Sequence, residues 1–431
     1  MKKWAPFLLL AAVMIVLFVF TPFTKQEHDK KKTNLSGKKV QLIFWRNNGN
    51  ELENEAYRKL IKDFEKANPH ISIDMKLLPY SDYEIRLRTE LATGDPPDLM
   101  AIDSPTLALY ANTGSLLSLD FHMKTEGELA DYPRAALEGM SYKDKIYIVP
   151  ITESGIALFY NKKLFAAKGI PFPSADPGKP MTWEETARIA KQLTDGKKGI
   201  IGIDPAQGFS DGESAAYFKL PFLWQFGGDV LSPDGKTATG YIDSEDSLKA
   251  LQFYQDLYHK DHAAAMELPA DAILSGKLGM SVLGSWAVGE IFKNEGNIGV
   301  APLPRAKYQA VPNGGWAIGI SSRTKHQAEA WTFIKYLTSR EGVKKYVQIT
   351  GDIPVRMSVA KDFPDLNTYP KNIFVYQAQN HSKNRPVTPA YPVISQSIKA
   401  LFEEVGIGRS NVRDAAREAA RKINDGLKEV K

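Results

Sequence analysis

The chain has 431 residues, 43% hydrophobic and 24% charged, a soluble globular composition too long for one ordinary core, so two lobes are expected. It contains no cysteine, which excludes disulfides, thiolate nucleophiles and cysteine-ligated metals. Residues 1–39 hold eight Lys against two acidic residues, leaving 47 basic and 48 acidic side chains in the rest. The overall charge of +5 therefore comes from one terminus and makes no case for nucleic acid.

In chain order, Lys2 and Lys3 precede an apolar run from Phe7 to Phe23, broken only at Thr21 and Pro22. Small residues placed for signal-peptidase cleavage are missing near Thr21–Lys25. Residues 1–24 therefore read as an uncleaved signal anchor, with a cleaved signal peptide as the alternative. Both readings export the body of the protein. Residues 25–38, Lys-rich and without an apolar period, read as a tether whose charge suits anionic lipid headgroups.

From Lys39 strand and helix patterns alternate. Val40–Trp45 reads as a strand, and Glu51–Ala67 as a helix with Leu52, Ala56, Leu60, Ile61 and Phe64 at helical spacing. Asn68-Pro69 ends that helix, and Ile71, Ile73, Met75 and Leu77 alternate as a strand. A helix around Tyr83–Ala92 and a short strand Asp98–Asp103 complete a βαβαβ order, which argues for a parallel three-layer lobe. Ligands on such sheets sit beyond the carboxyl ends of the strands, here the segments after Trp45 and Ile102.

Further on, Thr182 and Glu185 form a capping box at a helix start. Helices are expected at Ser244–His259, Gln327–Thr338 and Asn411–Val430, and strands at Leu278–Leu283 and Trp316–Ile320. The segment Tyr147–Phe165 is an apolar run stopped by Pro150, then Ile151-Thr152-Glu153-Ser154-Gly155, then a second apolar run ending Tyr160-Asn161-Lys162. It reads as one chain crossing between two lobes with polar side chains exposed at the crossing.

That crossing segment resembles the hinge strand of bacterial extracellular solute-binding proteins of ABC importers, the carbohydrate-binding family that includes maltose-binding protein. Thr93–Leu99, Gly276–Met280 with Gly284-Ser285-Trp286, Ala301–Pro304, Asn313–Trp316 and Gly351–Arg356 are similar to segments of the same family, in the same order. The resemblance implies an α/β, two-lobed periplasmic-binding-protein-like fold of type II. Its discontinuous lobes would comprise 39–149 with 311–349, and 150–310 with 350–431. It further implies closure on a carbohydrate, delivery to the transmembrane subunits of an ABC permease, and no cofactor; a monomer is expected. Most Gram-positive members carry a lipobox cysteine, and its absence here favours the peptide anchor.

Sugars present hydroxyls and flat C–H faces, so their sites combine aromatic platforms with carboxylate, amide and Arg hydrogen-bonders. Trp286 follows Gly-Ser at a strand end and matches the family's stacking tryptophan. Trp316 opens a strand after two glycines; Trp45 and Trp224 are aromatic candidates that packing would equally explain. Asn47 and Asn48 leave the first strand, and Asp103 ends another, where a helix cap is the alternative. Glu153 and Ser154 lie on the crossing, where the family places a ligand-binding acid. Arg385 and Tyr391 match a late cleft-lining segment, and Tyr83 could line a rim or pack its helix. No zincin, P-loop or nucleophile-elbow motif occurs, and no carboxylate pair stands out as a glycosidase dyad, so the chain reads as a non-enzyme. An anchored glycan-active enzyme and a ligand-presenting receptor for a sensor kinase remain the rival readings.

Overall fold

The computed structural model describes residues 39–430 apart from 207–213, 270 and 295; the expected anchor and tether, 1–24 and 25–38, lie outside them. Strand β1 (Val40–Asn47) buries Leu42 and Phe44 completely, and helix α1 (Glu51–Ala67) starts where the Asn50 side chain accepts from the Glu53 N–H. The expected stripe of α1 is buried at Ala56, Leu60, Ile61 and Phe64, whereas Leu52 stays partly exposed. Strand β2 (Ile71–Leu78) follows, then helix α2 (Tyr80–Thr93), which begins three residues earlier than its apolar spacing suggests because Pro79 ends the strand. Strand β3 is Leu99–Asp103.

The chain then adds β4 (Ile148–Pro150), the two-residue β5 (Thr152–Glu153) and β6 (Ile156–Asn161). Later come β7 (Ile201–Asp204), α3 (Ser214–Phe226), β8 (Leu278–Gly284), β9 (Ile298–Ala301) and β10 (Trp316–Ile320). After them lie α4 (Gln327–Thr338), α5 (Arg340–Thr350), β11 (Ile353–Pro354), α6 (Tyr391–Gly406) and α7 (Val412–Glu429).

Two separate sheets define two lobes. The first has the order β2-β1-β3-β10-β4, parallel through β1, β2 and β3, with β10 antiparallel to both its neighbours. The second runs β9-β6-β8-β7 and is mixed. Because β4 belongs to one sheet and β6 to the other, Ile151–Gly155 is a crossing. The chain returns through 313–315 into β10, which closes the first sheet from a point more than 160 residues away in sequence. At the hinge β5 and β11 pair antiparallel, with Glu153 opposite Ile353.

Each sheet buries its own core. One packs Phe44, Phe64, Tyr83, Ile102, Trp331 and Phe333; the other packs Trp183, Phe222, Tyr254, Ile394 and Phe402. The expected boundaries shift in two places. Val311 packs into the second core beside Ala310, where that lobe was expected to end, while Val355 and Val359 pack into the first, together with half-buried Phe363. The second shift has a physical reason at Arg356. This buried side chain donates to the Thr338 carbonyl oxygen at 2.5 Å and pairs with Glu128 at 2.8 Å and Asp131 at 3.1 Å, so the segment beyond α5 stays on the first lobe.

Candidate functional site

Both sheets end their strands on a cleft of about 1290 Å³ between the lobes. Of the candidate residues, Asn47, Asn48, Asp103, Glu153, Ser154, Trp286, Trp316 and Arg385 line it. The first lobe supplies Asn47, Asn48 and Asp103 from the ends of β1 and β3, and Trp316 from the start of β10. The indole of Trp316 is half-buried and set edge-on to Tyr83 (5.5 Å) and Tyr80 (6.2 Å). Asn48 Oδ1 accepts from Asn54 Nδ2 at 2.9 Å, whereas Asn47, only 4% exposed, keeps a buried Oδ1 with no partner among the described residues.

The second lobe supplies Trp286, just past the end of β8 and 36% exposed. Its ring lies so flat on the backbone of Gly284 that a Cβ built there would come within 2.3 Å of three ring atoms. Tyr217 and Phe218 of α3 flank it at 5.9 and 6.2 Å. The indole is thus braced behind and open in front, a platform fixed without help from a ligand. From the other lobe, Asn50 Nδ2 donates to the Trp286 carbonyl oxygen at 3.4 Å.

Across the floor, Arg385 reaches from the second lobe to Asp103 of the first in a two-pronged pair at 2.6 and 2.9 Å, with both residues buried. Such a planar fork fixes direction as well as charge. Its guanidinium also lies 5.0 Å over the Tyr217 ring. Asp103 therefore caps no helix: its carboxylate is spent on Arg385, with no side-chain cap bond to the turn that follows. Ser154 Oγ bonds the Tyr217 hydroxyl at 2.9 Å and the Gly314 carbonyl oxygen, tying two crossings of the hinge together.

Four candidates do not line the cleft. Trp45 lies on the same face of β1 as Asn47 but two residues deeper, so it packs against the first core. Tyr83 is fully buried, its hydroxyl within reach of the carbonyl oxygens of Trp45 (3.1 Å) and Ala101 (2.6 Å); it props β1 against β3. Trp224 lines a different groove, beside Tyr142, Tyr241 and Tyr308, with its Nε1 donating to Asp229 at 3.2 Å. Tyr391 is buried behind Arg385, its hydroxyl 3.4 Å from Nη1, and acts as a support.

Sequence reasoning missed Asp204, Tyr217, Glu53 and Asp352, all of which line the cleft. Asp204 ends β7 as Asp103 ends β3, so the strand-end argument applied to Ile201–Asp204 would have found it. Tyr217 sits in an almost wholly apolar helix and carries no such mark. Glu153 lies in the hinge pair and Asp352 just before its other strand, and burial pushes both carboxyls up to about 7, with the Glu53 charge adding to the effect on Asp352.

This shift has a stability consequence with a definite sign. A carboxyl raised from 4.5 (Glu153) or 3.8 (Asp352) to about 7 favours the folded state below its ordinary value, and that contribution is lost as pH rises through about 7. Carboxyls held low elsewhere, such as Asp131 and Glu126, titrate below this window. The double variant Glu153→Gln/Asp352→Asn should therefore gain melting temperature relative to wild type between pH 5 and pH 8. A difference that stays flat across that range contradicts the assignment.

With this geometry in place, comparison with known proteins is specific. The profile of bacterial extracellular solute-binding proteins matches residues 48–344. The maltotriose-binding protein of Pyrococcus abyssi is 25% identical over 376 residues, covering 85% of this chain and 77% of that protein. An ABC transporter solute-binding protein from Thermotoga lettingae bound with α-D-tagatose superposes with a TM-score of 0.81 at 28% identity, covering 90% of this chain and all of the other. The acarbose-binding GacH receptor of Streptomyces glaucescens gives 0.79 at 25% identity, with 91% and 99% covered. With more than half of its length matched and both lobes superposed, the chain belongs to the bacterial extracellular solute-binding protein family.

Proposed function

We propose that the protein is the sugar-capturing component of an ABC importer, closing its lobes on a mono- or oligosaccharide and handing it to a membrane permease. The observation that carries this reading is the pair of indoles facing one cleft from opposite lobes, Trp286 and Trp316, among amide and carboxyl hydrogen-bonders. Aromatic faces cover the C–H surface of a pyranose, and the polar rim fixes its hydroxyls. A relative whose name specifies maltotriose and structural neighbours carrying tagatose or acarbose support it. Nothing in the reading requires catalysis, since capture and release leave the ligand unchanged.

A thermal-shift screen over neutral mono- and oligosaccharides tests it. A true ligand at about 100 times its Kd adds about 2.7 kcal/mol of stability and is recovered intact after long incubation. A chain stabilised by no sugar, or one that cleaves its ligand, contradicts the reading. Tethering at the outer face of the cell membrane through the run Phe7–Phe23 belongs to the same proposal. N-terminal sequencing of the exported chain decides between that anchor and a cleaved signal.

A further inference from the structure

The ionisable side chains lining the cleft are mostly acidic. Glu53, Asp103, Glu153, Asp204, Asp271, Glu290 and Asp352 line it, against a single basic side chain among the described lining residues, Arg385. Arg385 commits both terminal nitrogens to Asp103. Among the described residues, the nearest other cations are not presented to the cleft either. Arg46 lies beneath it, 1% exposed, paired with Glu53 at 2.5 Å and stacked 4.0 Å over Tyr57. Lys219 is fully enclosed in the second lobe, and Lys371, whose charge reaches Asp352, is not a lining residue and pairs with Asp365 at 2.8 Å.

At two places on the cleft wall the backbone donors are already met. The N-terminus of α1 opens on the cleft, but Asn50 caps it and Glu51 and Glu53 occupy its first turn, so its positive end is already met. At the Trp286 turn, the Ser285 N–H donates to the Gly155 carbonyl oxygen at 2.9 Å. On the floor, Asn47 Oδ1 is buried without a partner among the described residues and calls for a donor, while Arg46 Nη1, a donor also left without one, lies beneath the floor on a side chain closed off from the cleft.

We propose that the cleft accepts carbohydrates bearing no anionic group and rejects uronates, sialylated glycans and sugar phosphates. This inference rests on the carbohydrate reading above and names its substrate class. A carboxylate or phosphate entering the closed cleft would lose its water shell, find no uncommitted cation among the described lining residues, and sit among acidic side chains. A neutral sugar brings hydroxyls, which donate to Asn47 Oδ1 and to carboxyl oxygens without that cost.

The test uses the full chain and matched probe pairs at physiological salt: maltotriose with maltotriose phosphate, galactotriose with trigalacturonate, and lactose with sialyllactose. Calorimetric titration should find binding only among the uncharged members, with the acidic partner of any binder at least ~100-fold weaker. An acidic probe that binds as tightly as its parent, or binds where the parent does not, overturns the proposal and leaves the carbohydrate reading standing. If no member of any pair binds, the carbohydrate reading falls and this proposal falls with it.

Discussion

Arg385→Ala is expected to destabilise the protein by roughly 3–5 kcal/mol, the cost of leaving a buried carboxylate without its counter-charge. Asp103 is 5% exposed, and both its oxygens are held by Arg385, so truncation strands an acid between the lobes. The loss of the cation over Tyr217 and of the contact to Tyr391 adds to it. The pair's net value is another matter, because two well-packed apolar residues often replace such a bridge at little cost. Asp103→Leu/Arg385→Met should therefore recover much of the stability lost by Arg385→Ala alone. Chemical denaturation of the three variants checks this. A single variant within about 1 kcal/mol of wild type would mean that the bridge is not buried as described.

Trp286→Ala should weaken sugar binding by roughly 2–4 kcal/mol, as expected for an interface hot spot. Stability should change far less than the roughly 3–5 kcal/mol of a buried Trp→Ala, since the ring keeps one face in solvent. Gly284→Ala provides the companion test. Its methyl would occupy the space of the indole, so the platform must move while Trp286 itself is retained. Binding should fall in both variants, read by calorimetry, with melting temperature nearly preserved in each. Strong destabilisation by Trp286→Ala, or normal sugar binding by it, would place the site elsewhere.

The βαβαβ succession of the first lobe was legible because its helix stripes are clean and β2 alternates; α1, β10 and α4 have the bounds their patterns suggest. The lobe boundary was not, because Arg356 acts through contacts with residues more than 200 positions away. At the site, strand ends and the crossing segment pointed to Asn47, Asp103, Glu153 and Trp286, all of which line the cleft. Residue type alone did not show that Trp45, Tyr83 and Trp224 lie away from the cleft lining: large rings serve packing as readily as ligands, and only depth along the strand or helix separates the two uses. Arg385 was placed in the cleft, but that its charge is consumed by Asp103 required the fold, since the two lie 282 residues apart.

The most direct test of sugar capture between the lobes is a crystal structure grown with the carbohydrate that raises the melting temperature most. The account predicts a sugar ring lying on the Trp286 indole, opposite Trp316, with one hydroxyl donating to Asn47 Oδ1. A sugar bound in the Trp224 groove with the interlobe cleft empty would contradict it.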